Sequence, residues 1–295
     1  MRKGIILAGG TGTRLYPITQ VVCKQLLPLY DKPMIYYPLC TLMQAGITDI
    51  LVICTETDRP LFQSLLKNGH QWGINIEYTI QAKPEGLAQA LILAEPFLAN
   101  SPCALILGDN LFYGHHLQAT LQAASNMTGA SIFGYHVANP QAYGVIEFDQ
   151  YNQVKSITEK PAIPKSNYAM PGLYFFDNNA CQYAKKVLPS PRGELEIVDV
   201  ITQYLNNNNL TVNILGRGTA WLDTGTPDAM AEATQYIAAI EKRQGLKISC
   251  PEEVAFSMGL IDQQQLTELA NQLIKSGYGQ YLLSLLNKNF PDEMH

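Results

Sequence analysis

The chain has 295 residues, a net charge of −5 and a sequence pI near 5.5. This length can bury a large core, and the acidic balance argues against nucleic-acid binding, which normally requires a basic face. No apolar run approaches the ~18 residues of a membrane span, and the N-terminus lacks the pattern of a signal peptide. Six scattered cysteines without a Cys-x-x-Cys pair favour free thiols in a reducing cytoplasm. We therefore expect a cytoplasmic protein that binds neither nucleic acid nor a membrane.

The first half of the chain alternates short apolar runs with helical patterns, which is typical of a parallel sheet covered on both faces. The predicted strands are Gly4–Leu7, Ile50–Cys54, Ile74–Ile80, Ala104–Leu107 and Ser131–Tyr135; the predicted helices are Met34–Gln44, Pro60–Lys67, Leu87–Ala94 and Leu117–Ser125. In such sheets, ligands bind beyond the carboxyl ends of the strands. Because Gly9-Gly10, Gln81 and Asp109-Asn110 follow three of these strands, we expect a binding site there.

The loop after the first strand is rich in glycine and is followed by two cations, Arg14 and Lys24. Its residues are Gly9, Gly10, Thr11, Gly12 and Thr13. Glycines permit positive φ values and bring backbone N–H groups close to phosphate oxygens. A dinucleotide fingerprint would need glycine in place of Leu15, and a Walker A loop would need Gly-Lys-Ser/Thr in place of Thr13-Arg14. We interpret the loop as a nucleotide phosphate cradle of another kind; a glycine-rich turn without a ligand is the alternative.

The second half of the chain has a different pattern. Val145–Phe148 and Val154–Thr158 flank a polar turn and predict an antiparallel pair. Further strands are predicted at Ala169–Phe176 and Val212–Leu215, further helices at Ala180–Val187 and Ile197–Asn206, and a mostly helical segment at Glu252–Leu286 with Leu266, Leu269, Leu273 and Ile274 on one apolar face. Thr226-Pro227-Asp228 is typical of a helix start, and this helix is predicted to run to Gln244 and stop at Gly245.

Two aspartates are candidate ligands for Mg²⁺. Asp109 follows a predicted strand, and Asp223 lies in the stretch WLDTG just before the helix start. Mg²⁺ prefers hard oxygen ligands and commonly takes one or two carboxylates together with substrate phosphates and water. Each aspartate could instead be an ordinary cap or turn residue, so the residues alone leave the metal site a hypothesis.

The pattern GxGTRLxP followed by KxLLP resembles the signature of the sugar-phosphate nucleotidylyltransferases, and the resemblance covers nearly the whole chain. It narrows to the glucose-1-phosphate thymidylyltransferase branch through five further stretches: KQLLPLYDKPMIYYPL, Gln81–Ala90, Glu159–Pro161, Arg192–Glu196 and Gly277–Tyr281. In this family the aspartates of the motifs GDN and WLDTG bind the catalytic metal together. Both motifs are present here, so the resemblance implies that Asp109 and Asp223 hold Mg²⁺.

The resemblance also implies roles for other residues. Catalytic cations that grip the phosphates would be Arg14, Lys24 and Lys160. The nucleotide would contact Ala8, Gly9, Gly10, Thr11, Gly12, Thr13, Gln25, Gln81, Pro84, Gly86, Leu107 and Asn110; the sugar phosphate would contact Tyr143, Gly144, Glu159, Lys160, Met170, Tyr174 and Arg192. Residue types alone leave structural alternatives open, because Glu159 and Lys160 could be a surface pair and Arg192 could form a salt bridge within its loop.

We therefore expect a Rossmann-like α/β fold with a mixed, mostly parallel sheet flanked by helices, a small antiparallel sugar-binding subregion and a helical C-terminal appendage. The nucleotidylyltransferase core would span residues 1–240, with a nucleotide-binding part at about 1–136 and a sugar-phosphate part at about 137–225. The appendage would span residues 241–295.

The implied activity is transfer of a thymidylyl group from dTTP to glucose 1-phosphate, giving dTDP-glucose and pyrophosphate. By resemblance this is the first step of dTDP-rhamnose-type deoxysugar synthesis for cell-surface polysaccharide, carried out by a homotetramer under feedback from a dTDP-sugar. The alternatives are use of UTP or another hexose 1-phosphate, a catalytically silent nucleotide-sugar sensor, and an NAD-dependent oxidoreductase, which Leu15 disfavours.

The chain departs from the family pattern in two places that matter for function. Met170-Pro171 stands where relatives show Val-Thr, which removes a backbone donor on the sugar side. Ser257 stands where the family has an arginine in the appendage. The regulatory pocket implied by resemblance contains Tyr113, Gly114, Glu253, Val254 and Ser257. We expect this pocket to bind the dTDP-sugar end product weakly; the alternatives are that a nearby lysine or arginine takes the place of the missing arginine, or that the alignment of this stretch is shifted by one residue.

Overall fold

The computed structural model describes residues 1–10 and 12–287, so Thr11 of the predicted cradle lies outside the described residues. Within them the chain forms fourteen β-strands and ten α-helices. The strands β1 to β14 are Lys3–Leu7, Pro28–Leu29, Lys32–Pro33, Asp49–Cys54, Asn75–Ile80, Cys103–Leu107, Asn110–Tyr113, Ala130–His136, Gly144–Phe148, Val154–Glu159, Tyr168–Met170, Leu173–Phe176, Leu210–Ile214 and Ala220–Asp223. The helices α1 to α10 are Tyr36–Gln44, Arg59–Leu66, Gln89–Leu98, Leu117–Ser125, Ala180–Ala184, Ile197–Asn206, Pro227–Gln244, Pro251–Ser257, Gln263–Gln272 and Gly277–Leu285.

A ten-stranded mixed sheet organises the molecule, with strand order β10-β9-β11-β8-β12-β6-β1-β4-β5 and β13 beside β8. Strands β6, β1, β4 and β5 are parallel neighbours, whereas β12 is antiparallel to both β6 and β8. The carboxyl ends of the four parallel strands therefore lie at one edge. The backbone N–H groups of Ala8 and Gly108 extend this pairing by donating to Ile53 and Leu7. The predicted mixed, mostly parallel α/β sheet is confirmed.

Helices cover both faces of the sheet, with a large apolar cluster on each face, and a third, smaller cluster includes Leu29 and Ile237. Ile6 and Ile106 are fully buried in the cluster that includes α1, whereas Ile5 and Leu105 are fully buried in the cluster that includes α3. Strands buried on both faces read as continuous apolar runs, which is why β1 and β6 were recognisable in the sequence.

The predicted strand at residues 169–176 is in fact two strands. Pro171, which has no backbone N–H, and Gly172 separate β11 from β12. The break lets β11 pair with β9 while β12 pairs with β6. Gly172 packs closely on the nucleotide side, since a methyl group there would lie 2.5 Å from Leu107 Cδ1. The departure at Met170-Pro171 thus falls where the sheet divides between its two parts.

The long helix predicted after residue 226 is confirmed as α7. The backbone N–H of Ala229 donates to Thr226 Oγ1, and Gly245 ends the helix with a φ of 69°. The predicted apolar face of the appendage is wrong at two positions. α9 ends at Gln272, so Leu273 and Ile274 lie beyond it and are about two-fifths exposed, at 41% and 40%.

Strands β7 and β14 form a two-stranded antiparallel ribbon that the sequence pattern did not predict. Its register places Asp223 opposite Asn110 and Trp221 opposite Phe112. The ribbon brings the end of WLDTG to the carboxyl edge of β6. Two motifs distant in sequence therefore meet at the predicted binding edge.

The appendage helices pack against the core through a buried hydrogen-bond network. Glu252 is 4% exposed, and its carboxylate accepts hydrogen bonds from Trp72 Nε1 at 3.0 Å and Tyr278 Oη at 2.7 Å. All six cysteines are free thiols. None of the helices in the described ranges is long and apolar enough to cross a membrane.

Candidate active site

The two predicted metal ligands lie close together at the carboxyl edge of the sheet. Lys24 Nζ donates to Asp109 Oδ2 at 2.5 Å. Burial, and then the neighbouring charge of Asp109, raise the pKa of Asp223, while the cations Lys24 and Arg14 act in the opposite direction. The sequence motifs predicted that the two aspartates and the two cations share one site, and the structure brings these four side chains close together.

This donor set fits Mg²⁺. Within residues 1–10 and 12–287 no group of three or more His, Cys, Asp or Glu side chains is arranged to hold a metal ion. Two carboxylates, here Asp109 and Asp223, are the number that Mg²⁺ commonly takes when substrate phosphates and water complete its coordination. Neither aspartate is exposed. The arrangement therefore suits an ion that is bound together with a phosphorylated substrate.

Arg14 reaches the same site from the glycine-rich loop. A methyl group at Gly225 would lie 3.1 Å from Arg14 Nη2 and 3.2 Å from Asp223 Oδ1, so both side chains border this glycine. Arg14 is exposed and forms no ion pair with any described residue. Its guanidinium is consequently available to an anionic ligand.

Two glycines in the described part of the loop have positive φ values. Gly10 and Gly12 have φ values of 111° and 58°, which favour glycine. Thr19 Oγ1 donates a hydrogen bond to Gly12 O at 2.7 Å, which restrains the backbone of the loop at residue 12. Thr13 is exposed, whereas Ala8 is fully buried and offers only its backbone.

The predicted base-binding residues surround the end of β5. A methyl group at Gly9 would lie 2.1 Å from Gln81 Oε1, so the absence of a side chain at residue 9 makes room for this amide. Gly86 has a φ of 112° and packs on the backbone of Leu195. Leu195 N donates to Glu85 O at 2.7 Å, which fastens the nucleotide-side loop to the sugar-side segment.

Three further predicted nucleotide contacts lie around this region in different settings. Pro84 is exposed beside Gly86, and Leu107 is partly exposed at the end of β6. Gln25 is 6% exposed, and its Oε1 accepts a hydrogen bond from Cys23 Sγ at 2.8 Å. Gln25 also borders Gly108, since a methyl group there would lie 2.9 Å from Gln25 Cγ.

The predicted sugar-phosphate residues converge around Gly144 and Glu159. A methyl group at Gly144 would lie 3.0 Å from Met170 Cε and 3.3 Å from Glu159 Oε2. Burial raises the pKa of Glu159, whereas the positive charges of Lys160 and Arg192 oppose that increase. A carboxylate at this position can accept hydrogen bonds from hydroxyl groups.

Two cations border Glu159. Lys160 Nζ lies 3.5 Å from Glu159 Oε1, and Lys160 holds a positive φ of 41°. Arg192 Nη2 donates to both oxygens of Glu196 at 2.8 and 3.0 Å and lies 3.5 Å from Glu159 Oε1. Arg192 is thus both a member of a local ion network and a neighbour of the sugar-side carboxylate.

Three aromatic side chains, Tyr143, Tyr174 and Trp221, belong to the same part of the structure. Tyr143 and Trp221 pack edge to face with ring centroids 5.0 Å apart. Tyr174 is 3% exposed, and burial followed by the charges of Glu159 and Asp109 raises its pKa. Tyr174 is therefore protonated at neutral pH.

Asn110 is a structural hub of the site, which the sequence interpretation missed when it treated this residue only as a nucleotide contact. Its Oδ1 accepts hydrogen bonds from Trp221 Nε1 at 2.7 Å and from Gly172 N at 3.1 Å. Its Nδ2 donates to Asp109 Oδ1 at 3.0 Å. Asn110 is 2% exposed, so its side chain positions the predicted metal ligand Asp109 together with Trp221.

Thr224 and Gln89 are two more residues to which the sequence interpretation assigned no role of their own. Thr224 is fully buried, and its hydroxyl donates to Asp109 O at 2.9 Å. Gln89 Oε1 accepts a hydrogen bond from Gln81 Nε2 at 2.7 Å. Both residues lie inside motifs that were recognised, next to residues that were assigned, but hydrogen bonds between distant segments leave no periodic signal in sequence.

The residues of the predicted regulatory pocket lie in β7 and the turn after it, and in α8. Tyr281 Oη donates to Glu253 at 2.7 Å, and burial followed by surrounding groups that include Glu253 raises the pKa of Tyr113. Val254 is 7% exposed in the core. Ser257 is exposed, and its Oγ donates to Val254 O at 3.1 Å. Gly114 packs on Thr219, since a methyl group there would lie 2.7 Å from Thr219 Cα.

Comparison with known proteins places the chain in a family. Residues 3–240 match the family described as nucleotidyl transferase. A glucose-1-phosphate thymidylyltransferase of Xanthomonas campestris pv. campestris is 56% identical over 288 residues, which cover 97% of this chain and 98% of that protein. An enzyme of the same name from Mycobacterium tuberculosis is 54% identical over 287 residues, which cover 97% of this chain and 100% of that protein.

Solved structures agree with these relatives. A Bacillus anthracis chain, provisionally assigned as a glucose-1-phosphate thymidylyltransferase and solved in complex with sucrose, matches with a TM-score of 0.74 and 39% identity over 80% of this chain and 95% of that one. A UDP-glucose pyrophosphorylase solved with UDP-glucose has a TM-score of 0.72 at 24% identity, over 82% of this chain and 100% of that one, and supports the fold alone.

The chain belongs to the nucleotidyl transferase family and is a nucleotidyltransferase. Within that family, the similar proteins named above are glucose-1-phosphate thymidylyltransferases. The family named from the sequence motifs is therefore confirmed.

Proposed function

We propose that this enzyme transfers a thymidylyl group from dTTP to α-D-glucose 1-phosphate, giving dTDP-glucose and pyrophosphate. The observation that carries the proposal is the cluster at the carboxyl edge of β6, where Lys24 pairs with Asp109 beside Asp223, while Arg14 also borders Asp223. Two cations next to two carboxylates and a glycine-rich loop match the needs of a reaction between two phosphorylated substrates. The names of the similar enzymes support the choice of substrates.

The reaction requires no proton-transfer base. An oxygen of the sugar phosphate forms a bond to the α-phosphorus of dTTP, the bond from that phosphorus to the bridging oxygen breaks, and pyrophosphate leaves with the bonding electrons. In-line geometry keeps the attacking and leaving oxygens on opposite sides of the phosphorus. The protein therefore acts by positioning the substrates and by stabilising charge.

Each charged residue has a part in this proposal. Arg14 and Lys24 bind the triphosphate and stabilise charge that develops on the leaving pyrophosphate. Lys160 and Arg192 bind the phosphate of glucose 1-phosphate, while Glu159 accepts hydrogen bonds from sugar hydroxyls. Asp109 and Asp223 would hold Mg²⁺, which supplies neutralisation of phosphate charge when it is bound.

The base side is assigned to the end of β5. The amide of Gln81 pairs with the thymine edge, Leu107 packs near the ring, and the backbone around Pro84 and Gly86 completes the pocket. The cradle residues Gly9, Gly10, Thr11, Gly12 and Thr13 approach the phosphates through their backbone. The side chains of Gln25 and Asn110 are buried, and we assign them to the inner side of the nucleotide pocket.

The wider setting is also a proposal. A homotetramer working in the cytoplasm, at the entry to dTDP-rhamnose-type deoxysugar synthesis, is what the resemblance to the thymidylyltransferase branch implies. The regulatory pocket around Tyr113 and Glu253 would bind a dTDP-sugar. Size measurement by light scattering tests the tetramer directly.

Pyrophosphate release measured with glucose 1-phosphate and Mg²⁺ across a panel of nucleotides tests the activity. We expect release with dTTP, and slower release with UTP, because one methyl contact contributes only about 1–3 kcal/mol. ATP presents a different hydrogen-bonding edge and is expected to give little product. No release with any nucleotide would favour the sensor alternative, and equal rates with ATP would contradict the assignment of the base pocket.

A further inference from the structure

Three side chains at the base pocket form a hydrogen-bonded relay. Gln81 Nε2 donates to Gln89 Oε1 at 2.7 Å, and Gln89 Nε2 donates to Glu85 Oε2 at 2.7 Å. The backbone N–H of Glu85 also donates to Gln89 Oε1 at 3.1 Å. The relay runs from the exposed Glu85, through the half-buried Gln89 at the start of α3, to Gln81, which is 5% exposed.

The chemistry of Glu85 decides the direction of this relay. A primary amide has a carbonyl oxygen on one side and an amino group on the other, and its neighbours determine which way it faces. The Glu85 carboxylate can only accept and its backbone N–H can only donate, so Gln89 must present its amino group to the former and its oxygen to the latter. Gln89 Oε1 then requires a donor from Gln81, which is Nε2.

This direction leaves the Gln81 carbonyl oxygen for the ligand. Oε1 lies against Gly9, where a methyl group would approach it to 2.1 Å. None of the residues in the described ranges donates a hydrogen bond to this oxygen. Gln81 therefore presents an acceptor at the place where the proposed function puts the Watson–Crick edge of a pyrimidine.

We infer that Gln89 and Glu85 are positioning residues that fix the direction of the Gln81 amide and thereby select pyrimidines with a protonated N3. Thymine and uracil carry an N3–H that can donate to Gln81 Oε1. Cytosine has an unprotonated acceptor at N3, which would face that oxygen without a hydrogen between them. The inference rests on the proposed function for the location of the base, and it adds the basis of discrimination against cytosine.

A purely structural role for the relay predicts a different outcome. Loss of support for the β5 end would weaken binding of every nucleotide by a similar factor. A role in amide direction changes the ratio of affinities for dTTP and dCTP, because the two bases need opposite groups at the same position. An unmatched pair of acceptors costs affinity of the order of one lost hydrogen bond, about 10-fold. The ratio is therefore the informative measurement.

The test compares a single variant that should reverse the direction of the Gln81 amide with a double variant that should keep it. Gln89→Lys replaces the acceptor by a donor-only ammonium, so Gln81 must turn its oxygen toward residue 89 and its amino group toward the base. In the double variant Glu85→Gln/Gln89→Glu, the carboxylate at 89 accepts from Gln81, so the original direction is kept. Gln63→Lys, on the exposed surface of α2, is the matched charge control.

Dissociation constants for dTTP and dCTP are measured by isothermal titration calorimetry, with pyrophosphate release measured alongside. We expect the dTTP preference to fall by about 10-fold or more in Gln89→Lys and to be retained in the double variant and in Gln63→Lys. If Gln89→Lys fails to fold, Gln89→Met, which removes the acceptor without adding charge, is expected to reduce the preference by a smaller factor.

The outcomes separate the inference from the activity on which it rests. An unchanged affinity ratio in the folded variants at residue 89 would overturn the relay, even if the natural enzyme releases pyrophosphate. A reduced ratio in an enzyme that releases no pyrophosphate would support the relay and overturn the proposed reaction. A double variant that loses the preference as fully as Gln89→Lys would also overturn the relay, since the direction is kept there.

Discussion

The ammonium group of Lys24 lies 2.5 Å from Asp109 Oδ2, and the two side chains are only 9% and 19% exposed. This pair places a positive charge next to two carboxylates that would otherwise repel each other in a poorly hydrated setting. Because Lys24 neutralises Asp109, the charge balance of the two predicted metal ligands depends on this cation. Removal of the Asp223 carboxylate should therefore affect activity and stability in different directions, since Lys24 keeps its partner Asp109.

Asp223→Asn should lose activity without losing stability. The substitution removes a buried carboxylate that faces Asp109, so the apo protein is relieved of a like-charge repulsion. The melting temperature should stay the same or rise, while kcat falls on the order of 10²–10³-fold because one preorganised charge is lost. Thermal unfolding and pyrophosphate release measured on the same preparation check both parts. Near-normal turnover would remove Asp223 from the site.

Asn110→Ala should destabilise the fold as well as the site. The substitution leaves Trp221 Nε1 and Gly172 N without their acceptor, and each unsatisfied buried donor costs about 1–3 kcal/mol. Urea unfolding should show a loss of that order. Asn206→Ala, at an exposed position of α6, is the control and should change the unfolding free energy by about 0.5 kcal/mol or less. Equal stability of the two variants would contradict the role of Asn110 as the acceptor for these two buried donors.

Acid stability should depend on Asp31. Burial opposes its ionisation, but the adjacent ammonium groups of Lys32 and Lys247 outweigh burial and lower the pKa of Asp31. A carboxylate whose pKa is lower in the folded state stabilises the protein above its unfolded pKa of about 4, and that contribution is lost as the pH falls through the folded value. The unfolding free energy of Asp31→Asn should consequently decline less steeply below about pH 4 than that of the natural protein.

Urea unfolding at a series of pH values measures this difference. Asp228→Asn, at an exposed position of α7 with no ion pair to any described residue, provides a matched aspartate control. Lys32 Nζ also lies 3.1 Å from Glu241 Oε1. If both variants changed the pH dependence of the unfolding free energy equally, the ion pairs around Lys32 would not be the cause of the acid sensitivity.

Ser257→Arg should increase inhibition by dTDP-rhamnose. The exposed serine at the end of α8 carries no charge, whereas an arginine there could bind pyrophosphate oxygens through a planar set of donors. A charge-assisted hydrogen bond contributes roughly 1.5–3 kcal/mol, or about 10- to 150-fold in affinity. Inhibition titrations at saturating dTTP compare the natural enzyme, Ser257→Arg and the uncharged Ser257→Gln. Tight inhibition of the natural enzyme, unchanged by arginine, would show that residue 257 does not control feedback.

Local sequence patterns correctly predicted the structural features that depend only on neighbouring residues. The apolar run of β1, the cap at Thr226 and the stop at Gly245 each depend on neighbouring residues, so periodicity and capping preferences were sufficient. Leu273 and Ile274 were misplaced because α9 ends at Gln272, two residues before the last position of the predicted apolar face. Such ends depend on what the chain packs against next.

The α/β class, the glycine-rich loop and the motifs that identify the family could all be predicted from the amino-acid sequence, because they are properties of short stretches. How those stretches meet depends on the folded chain. Pairing of β7 with β14 places Asp223 near Asp109, and the relay from Glu85 through Gln89 orients Gln81. Both arrangements depend on hydrogen bonds whose partners are selected by the packed sheet and its loops, and no local periodicity encodes them.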